Sequence, residues 1–228
     1  MLSLIAASAF FLLIHFGVSG TRLRDRVVTL MREGPYRIAF ALASLVGLVW
    51  MSRAYARAPA IELWAPLPGI HSLTRMLVFI AFLFAVIGLA TASPTRVGME
   101  STLAKGTELA RGMVRITRHP FLWGVALWAF AHLLANGDLA SMIFFGSLLV
   151  LALGGTASID AKRRRSFGDA WHRFAGATSN LPFAAIASGR NRLEPALREI
   201  GLLRPAIAIA AYTALLVLHG RLFDAALV

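Results

Sequence analysis

Six long runs without a charged residue constrain this chain more than any other feature. Crossing the hydrocarbon core of a bilayer takes ~20 apolar residues, with about 17–25 as the usual range. Shorter runs, such as residues 38–52 and 121–137, can extend into flanking Tyr, Trp and Arg side chains that reach the interface. The runs cover residues 2–20, 38–52, 76–93, 121–137, 139–159 and 205–220. They predict an all-α, polytopic integral membrane bundle with about six transmembrane helices.

Composition argues against the alternative of a soluble helical bundle. Hydrophobic residues make up 58% of the chain and charged residues 15%, whereas apolar residues account for about half of a soluble domain. The first run lacks a basic leader and a small-residue cleavage site, so we expect a retained helix and not a signal peptide. Cysteine is absent. Any metal must therefore be held by His, Met or carboxylate side chains.

The basic residues are distributed unequally between the loops. The net charge is +12, and only Arg53, Arg57, Arg75 and Arg221 fall in one set of loops, which leaves 19 of the 23 Lys and Arg residues in the other set. The positive-inside rule assigns the basic side to the cytoplasm and both termini to the outside, as in a multi-pass protein of the cytoplasmic (inner) membrane. The asymmetry accounts for the charge without nucleic acid as a partner, and the lipid bilayer is the partner it predicts.

Three histidines in or beside apolar runs are candidate ligands or proton carriers. His15 and His132 lie within runs, and His119 lies in the sequence Arg-His-Pro at the start of another. Ionisable residues inside a membrane are usually functional, although a histidine packed against a neighbouring carbonyl is an equally good interpretation. We interpret the other three histidines as structural or interfacial: His71, His172 and His219.

A second candidate site combines bases with an acid on the basic side of the membrane. Arg115, Arg118 and His119 precede the fourth run, and Asp160 follows the fifth. A helix start favours anions, so these bases could bind a carboxylate or a lipid phosphate. The alternatives are that Asp160 caps a helix and that Arg118 reaches to headgroups. Residues 100–117 are expected to form a helix leading into this site.

Four motifs in the same order resemble the NnrU family of membrane proteins. They are IHFGVSGTRLR, PGIH, MVRITRHPFLWGVALWAFAHLLANGD and TSNLPFAAIASGR. That family includes bacterial proteins linked to nitric oxide metabolism in denitrification and a plant carotenoid isomerase. The resemblance covers roughly residues 3 to 190. It predicts an NnrU-like membrane domain over residues 1–190 and an additional C-terminal transmembrane helix over residues 191–228.

The resemblance implies a b-type haem as the cofactor. By analogy its iron is held by His15 and His132. His119 is a rival second ligand, because its expected depth in the membrane is closer to that of His15 than the depth of His132 is. Arg115, Arg118 and Asp160 are then candidates for contacts to the rest of the cofactor.

A second, more distant resemblance is to membrane methyltransferases of the isoprenylcysteine and phospholipid type. It rests on Arg118-His119-Pro120, on Gly124 and on the segment FGDAWHRFAGATSNLPF, but Ile159 and Asp160 stand where that family has adjacent glutamates. A third hypothesis, transfer of a methyl group from S-adenosylmethionine, follows from it.

The two NnrU-based hypotheses differ in function. The first is a haem-b protein that supports nitrogen-oxide metabolism, with respiratory membrane proteins as partners. The second is a haem-dependent cis–trans isomerase of a lipophilic polyene such as 15-cis-zeta-carotene. The residues alone do not decide whether the chain is an enzyme; among enzymatic functions the resemblance to the NnrU family favours isomerisation over methyl transfer.

The charge asymmetry predicts which loops share a side of the membrane. A single cysteine introduced at Arg164 should be labelled by an impermeant thiol reagent only from the cytoplasmic side. A cysteine at Asp138 should be labelled only from the outside. The chain has no other cysteine, so each signal reports one site. Labelling of both positions from the same side would contradict the topology.

Overall fold

The computed structural model describes residues 1–103 and 110–223. Ten helices account for most of this part of the chain, and no strand occurs in it. The first helix changes from α-helical to π-helical geometry at Leu13–Ser19. The helices are α1 (Leu2–Leu12, continued by the π-helical segment), α2 (Leu23–Met31), α3 (Glu33–Ala56), α4 (Ile70–Leu89), α5 (Met113–Ile116), α6 (Pro120–Asn136), α7 (Leu139–Ala177), α8 (Ala184–Ala187), α9 (Leu193–Ile200) and α10 (Leu203–Phe223).

Five helices are long and apolar enough to cross a membrane. They are Leu2–Ser19, Glu33–Ala56, Ile70–Leu89, Leu139–Ala177 and Leu203–Leu222. The sixth predicted span is α6, a 17-residue apolar helix that falls short of the length of the other five. It packs mainly against α4 and α7. The prediction of an all-α helical membrane bundle is confirmed.

The helix predicted over residues 100–117 is wrong as a continuous element. In its described parts, residues 100–103 form a 3₁₀ turn and only Met113–Ile116 is α-helical. Gly112 lies between them with a φ of 54°, which a right-handed helix does not accommodate. Residues 104–109, with Lys105 of the basic set, lie outside the described residues, as do residues 224–228 of the predicted last helix.

Helix α7 continues well beyond its apolar half. Asp138 caps its start and accepts a hydrogen bond from the Ser141 amide at 2.9 Å. The helical path is interrupted once, at Gly168, where φ is 46° and ψ is −118°. Beyond this break Trp171 and Phe174 are buried in a small core with Leu103 and Val114. The charged half of α7 is therefore folded back onto the segments that precede α6.

The contact between α4 and α6 depends on small residues. A Cβ added to Gly124 would lie 2.7 Å from the Ala85 amide nitrogen and 2.8 Å from the Ala81 carbonyl oxygen. Lipid tails are as apolar as the side chains, so close packing of this kind replaces the hydrophobic effect as the force between membrane helices. Gly124 therefore sets how closely α6 approaches α4.

We expect Gly124→Ala to destabilise the protein by about 1–3 kcal/mol, because the added methyl group overlaps backbone atoms that cannot move aside. Thermal unfolding in detergent would measure the change. The matched control is Gly146→Ala on α7, where an added Cβ meets nothing within 4 Å. That change should be neutral or slightly stabilising, since glycine weakens a helix interior. Equal effects of the two substitutions would contradict the packing argument.

Candidate functional site

A large cavity lies among the apolar helices. Its volume is about 1560 Å³, and residues of α1, α3, α4, α6, α7 and α10 line it. Aromatic side chains form much of the wall: Phe11, Phe16, Phe40, Phe82, Trp128 and Phe145. Pockets of 300–1,000 Å³ hold drug-sized ligands. This cavity can therefore enclose a large apolar molecule within the membrane-spanning part of the fold.

His15 and His132 both line this cavity. Nδ1 of His15 lies 2.7 Å from the carbonyl oxygen of Phe11, and Nδ1 of His132 lies 2.8 Å from that of Trp128. A carbonyl oxygen only accepts, so each Nδ1 carries the proton and donates it. The neutral ring then has an unprotonated Nε2 with a lone pair, the form of imidazole that binds a metal.

Contacts with α7 show the direction of α1. The ring of Phe16, the residue after His15, packs against Gly154. Four residues further on, Gly20 lies against Ser158, whose Oγ would be 3.0 Å from an added Cβ. Residue numbers therefore increase together along the two helices, and α1 runs parallel to α7.

Contacts of α6 with α7 show the opposite direction. Leu122 lies beside Gly155, with its Cδ1 3.6 Å from an added Cβ. Further along α6, the His132 ring stacks on Phe145 with the centroids 4.8 Å apart and the planes at 23°. Residue numbers on α7 fall as those on α6 rise, so α6 is antiparallel to α7 and to α1.

These directions bring the two imidazoles toward each other. The nine residues from Phe145 to Gly154 correspond to ~13 Å along α7, so the backbones of His132 and His15 lie at different depths. Side chains on a helix lean toward its N-terminus, and each histidine bonds to a carbonyl four residues earlier. Because α1 and α6 run in opposite directions, the His15 ring leans toward the level of His132 and the His132 ring leans toward that of His15.

Aromatic neighbours hold both rings in place. His15 lies between Phe11 and Phe40, with centroid distances of 4.5 Å and 5.1 Å. His132 contacts Trp128 at 4.9 Å in addition to Phe145. These packed contacts limit rotation of the imidazoles, so two oriented rings line the cavity.

His119 is not part of the cavity lining. It is 2% exposed and forms the N-cap of α6, immediately before Pro120. Its Nε2 lies 2.6 Å from Oδ1 of Asp160. Burial lowers the pKa of His119, which favours the neutral ring, although its hydrogen bond to Asp160 opposes that shift. Nε2 of His119 is thus engaged with a carboxylate, and its ring lies outside the cavity that His15 and His132 line.

Arg118 shares the same carboxylate. Its Nε and Nη2 donate to Oδ2 of Asp160 at 2.9 and 2.7 Å, and its guanidinium lies 5.5 Å from the centre of the Trp171 ring. The Arg118 carbonyl accepts a hydrogen bond from Thr95 at 2.6 Å. The three side chains Arg118, His119 and Asp160, called the RHD cluster below, therefore join the start of α6 to α7.

The structure places Arg115 elsewhere, so the predicted convergence of four residues is wrong in this respect. Arg115 donates to both carboxylate oxygens of Glu199 on α9 at 2.8 Å and to Asn191 at 2.9 Å. The hydrogen bond from Arg115 lowers the pKa of Glu199 to about 2. Arg115 and Arg118 have different partners because α5 ends between them. Arg115 lies on α5, which packs against α9, whereas Arg118 follows the end of α5 and contacts α7.

Sequence reasoning missed part of the cavity wall. His219 lines the cavity near the end of α10, whereas its place at the end of an apolar run predicts an interfacial position. Tyr36 and Lys162 also line it. The sequence does contain a signal for His219, because a single histidine in an apolar run is a candidate functional residue. Tyr36 and Lys162 stand beside charged residues in sequence and carried no such signal. His172, in contrast, has a 63% exposed side chain and lies outside the lining.

Comparison with known proteins assigns the family. The model of the NnrU protein family matches residues 3–227. The chain belongs to the NnrU family. The match extends past residue 190 and so includes α10, which packs on α4 through contacts of Tyr212 with Phe79 and Phe82.

Two curated relatives are named 15-cis-zeta-carotene isomerase, chloroplastic, and come from Zea mays and Arabidopsis thaliana. Each is 28% identical to this chain, over 213 and 214 residues respectively. The alignments cover 89% of this chain and 55% of each relative, so the chain spans about half the length of these proteins. No solved structure matches this NnrU protein.

The RHD cluster predicts a specific effect of Asp160→Asn. Removing the carboxylate charge leaves the partly buried Arg118 without a counter-ion. We expect a destabilisation of about 3 kcal/mol, the lower end of the range for a broken buried pair, because 18% of the Asp160 side chain is exposed. Thermal unfolding in detergent would measure it. The control is Asp169→Asn on the same helix, whose side chain is 96% exposed. A loss as large in the control would contradict the assignment.

Proposed function

We propose that this NnrU protein is a membrane-embedded cis–trans isomerase of a polyene hydrocarbon, with haem b as its cofactor. The observation that carries the proposal is the aromatic-walled cavity among the membrane-spanning helices, with His15 and His132 both facing it. The two relatives named 15-cis-zeta-carotene isomerase suggest the substrate class.

The cavity suits a polyene for physical reasons. A carotene has no polar group, partitions into the bilayer and presents flat π surfaces that stack on aromatic rings. Isomerisation rotates one double bond and transfers no atom to or from the substrate. It therefore needs neither a nucleophile nor an acid–base pair in contact with the hydrocarbon. The residues of the cavity wall would hold the polyene on both sides of the double bond while that bond rotates.

The donors that the chain offers fit haem better than a bare metal ion. Among residues 1–103 and 110–223, no group of three or more His, Cys, Asp or Glu side chains could hold an ion. Haem would bring four nitrogens of its own macrocycle and would need fewer protein ligands than a bare ion. His15 and His132 would supply them. When bound, the haem would supply a redox-active iron within the cavity.

The other two hypotheses gain less support. The comparisons favour isomerisation over a role in nitrogen-oxide metabolism, since both relatives are named as isomerases. No described contact favours methyl transfer, because Arg118 and His119 of the RHD cluster already share Asp160. Nitrogen-oxide metabolism stays a prediction from the family resemblance.

The ligand assignment predicts distinct spectra for histidine variants. His15→Ala and His132→Ala should each abolish the low-spin Soret spectrum of the purified protein or convert it to a high-spin form. Each should lower isomerisation of 15-cis-zeta-carotene in proteoliposomes by at least about tenfold. The control His172→Ala, at an exposed position outside the cavity, should retain both the spectrum and the activity.

Each part of the proposal can fail separately. An unchanged spectrum in His15→Ala would exclude the bis-histidine site, and loss of the low-spin form only in His119→Ala would move the second ligand to His119. A wild-type protein with an intact haem spectrum that leaves 15-cis-zeta-carotene unchanged would contradict the isomerase function while preserving the haem site.

A further inference from the structure

One end of the cavity is lined by cations that a hydrocarbon ligand does not require. This region, called the basic mouth below, lies where α1 ends, α3 begins and α7 leaves its apolar half. Its basic residues are Arg24, Arg37, Lys162 and Arg163. Within residues 1–103 and 110–223, the acidic residues that line the cavity in the same region are Glu33 and Glu100. The basic mouth therefore carries a net positive charge of two.

The arginines of the basic mouth are paired. Arg24 and Arg37 donate to the same oxygen of Glu33 at 2.5 and 2.9 Å. Arg163 is buried; it donates to Glu100 and to a backbone carbonyl, at 2.8 and 2.9 Å. Both acids are thus occupied by arginines.

Lys162 differs from these arginines. It is half-buried and lines the cavity, yet it forms no hydrogen bond or ion pair within the part of the chain that the structure describes. Arg24 and Arg163 act on it as like charges, whereas Asp25 and Glu33 attract it more weakly. A half-buried ammonium in this position is short of a counter-ion.

Tyr36 supplies a second, independent observation. It is 6% exposed and lines the cavity, and its hydroxyl has no hydrogen-bond partner among the described residues. The guanidinium of Arg24 lies 5.3 Å from the centre of its ring. Buried hydroxyls are normally satisfied, because leaving one without a partner costs free energy. Arg24 is a neighbour of both Tyr36 and Lys162, so the hydroxyl and the ammonium lie in the same part of the cavity wall, where both could contact an anionic oxygen.

We propose that the basic mouth binds the carboxylate or phosphate of an amphipathic molecule whose apolar body lies in the cavity. Lys162 neutralises the charge, and the Tyr36 hydroxyl donates a hydrogen bond to it. The proposal goes beyond polyene isomerisation, since a carotene has no anionic group; its haem-propionate source rests on the haem of the proposed function, and its lipid source does not. Two sources have the required chemistry: a haem propionate and the head group of an acidic lipid.

Paired ligands that differ only in charge test the proposal. The full chain in phosphatidylcholine nanodiscs would be titrated with hemin and with hemin dimethyl ester, followed by the Soret band. A second titration would compare oleate with methyl oleate, followed by tryptophan fluorescence. We expect wild type to prefer the charged member of at least one pair by about tenfold or more, since charge-assisted hydrogen bonds are about twice as strong as neutral ones.

Lys162→Gln and Tyr36→Phe should each reduce that preference severalfold by weakening binding of the charged ligand and leaving the ester unaffected. Tyr36→Phe removes only a hydroxyl that has no partner in the ligand-free fold, so it should not lower thermal stability. Arg164→Gln is the matched control, because Arg164 is exposed and does not line the cavity. It should keep the wild-type preference.

The two titrations identify the source. A charge preference for hemin that both variants lose assigns the site to a propionate, and one confined to oleate assigns it to an acidic lipid. If wild type binds both members of each pair equally, the proposal is overturned. It is also overturned if the preference survives in both Lys162→Gln and Tyr36→Phe, or if Arg164→Gln reduces it as much as they do.

Discussion

Backbone amides and carbonyls in the hydrocarbon core have no water to bond with, and the rest of this structure depends on that constraint. Each spanning segment must satisfy its own hydrogen bonds as a helix. Helices then associate through close packing, as Gly124 shows where it lies against the backbone of α4. The cavity lies between helices that include α1, α3 and α10.

The same constraint governs the polar side chains inside the spans. His15 and His132 each take a carbonyl of their own helix as partner, as isolated polar groups in a membrane helix commonly do. That local bond selects the tautomer that leaves Nε2 available toward the cavity. A bond that satisfies the packed-histidine interpretation therefore also prepares the ring as a ligand, and the two interpretations of these residues are compatible.

Charged groups are concentrated at one end of the bundle. Some of them have hydrogen-bond partners within the fold, and others do not. The RHD cluster is internally satisfied, so it joins α6 to α7 and orients the start of α6. The basic mouth has an ammonium and a hydroxyl for which the described residues provide no acceptor. Arginines with bidentate carboxylates stabilise the fold, whereas groups without partners are the ones that can bind a ligand.

The sequence by itself determined the helical membrane class, since apolar runs of this length have no other stable form in lipid. Its motifs also indicated the NnrU family and the two cavity histidines. Only the tertiary structure decided which residues meet. Arg115 and Arg118 are three residues apart, yet one contacts Glu199 and the other Asp160, because α5 ends between them. Tyr36 and Lys162 come from helices more than a hundred residues apart, and helix directions brought them to one cavity. Such pairings arise from packing between helices, which local periodicity and charge do not encode.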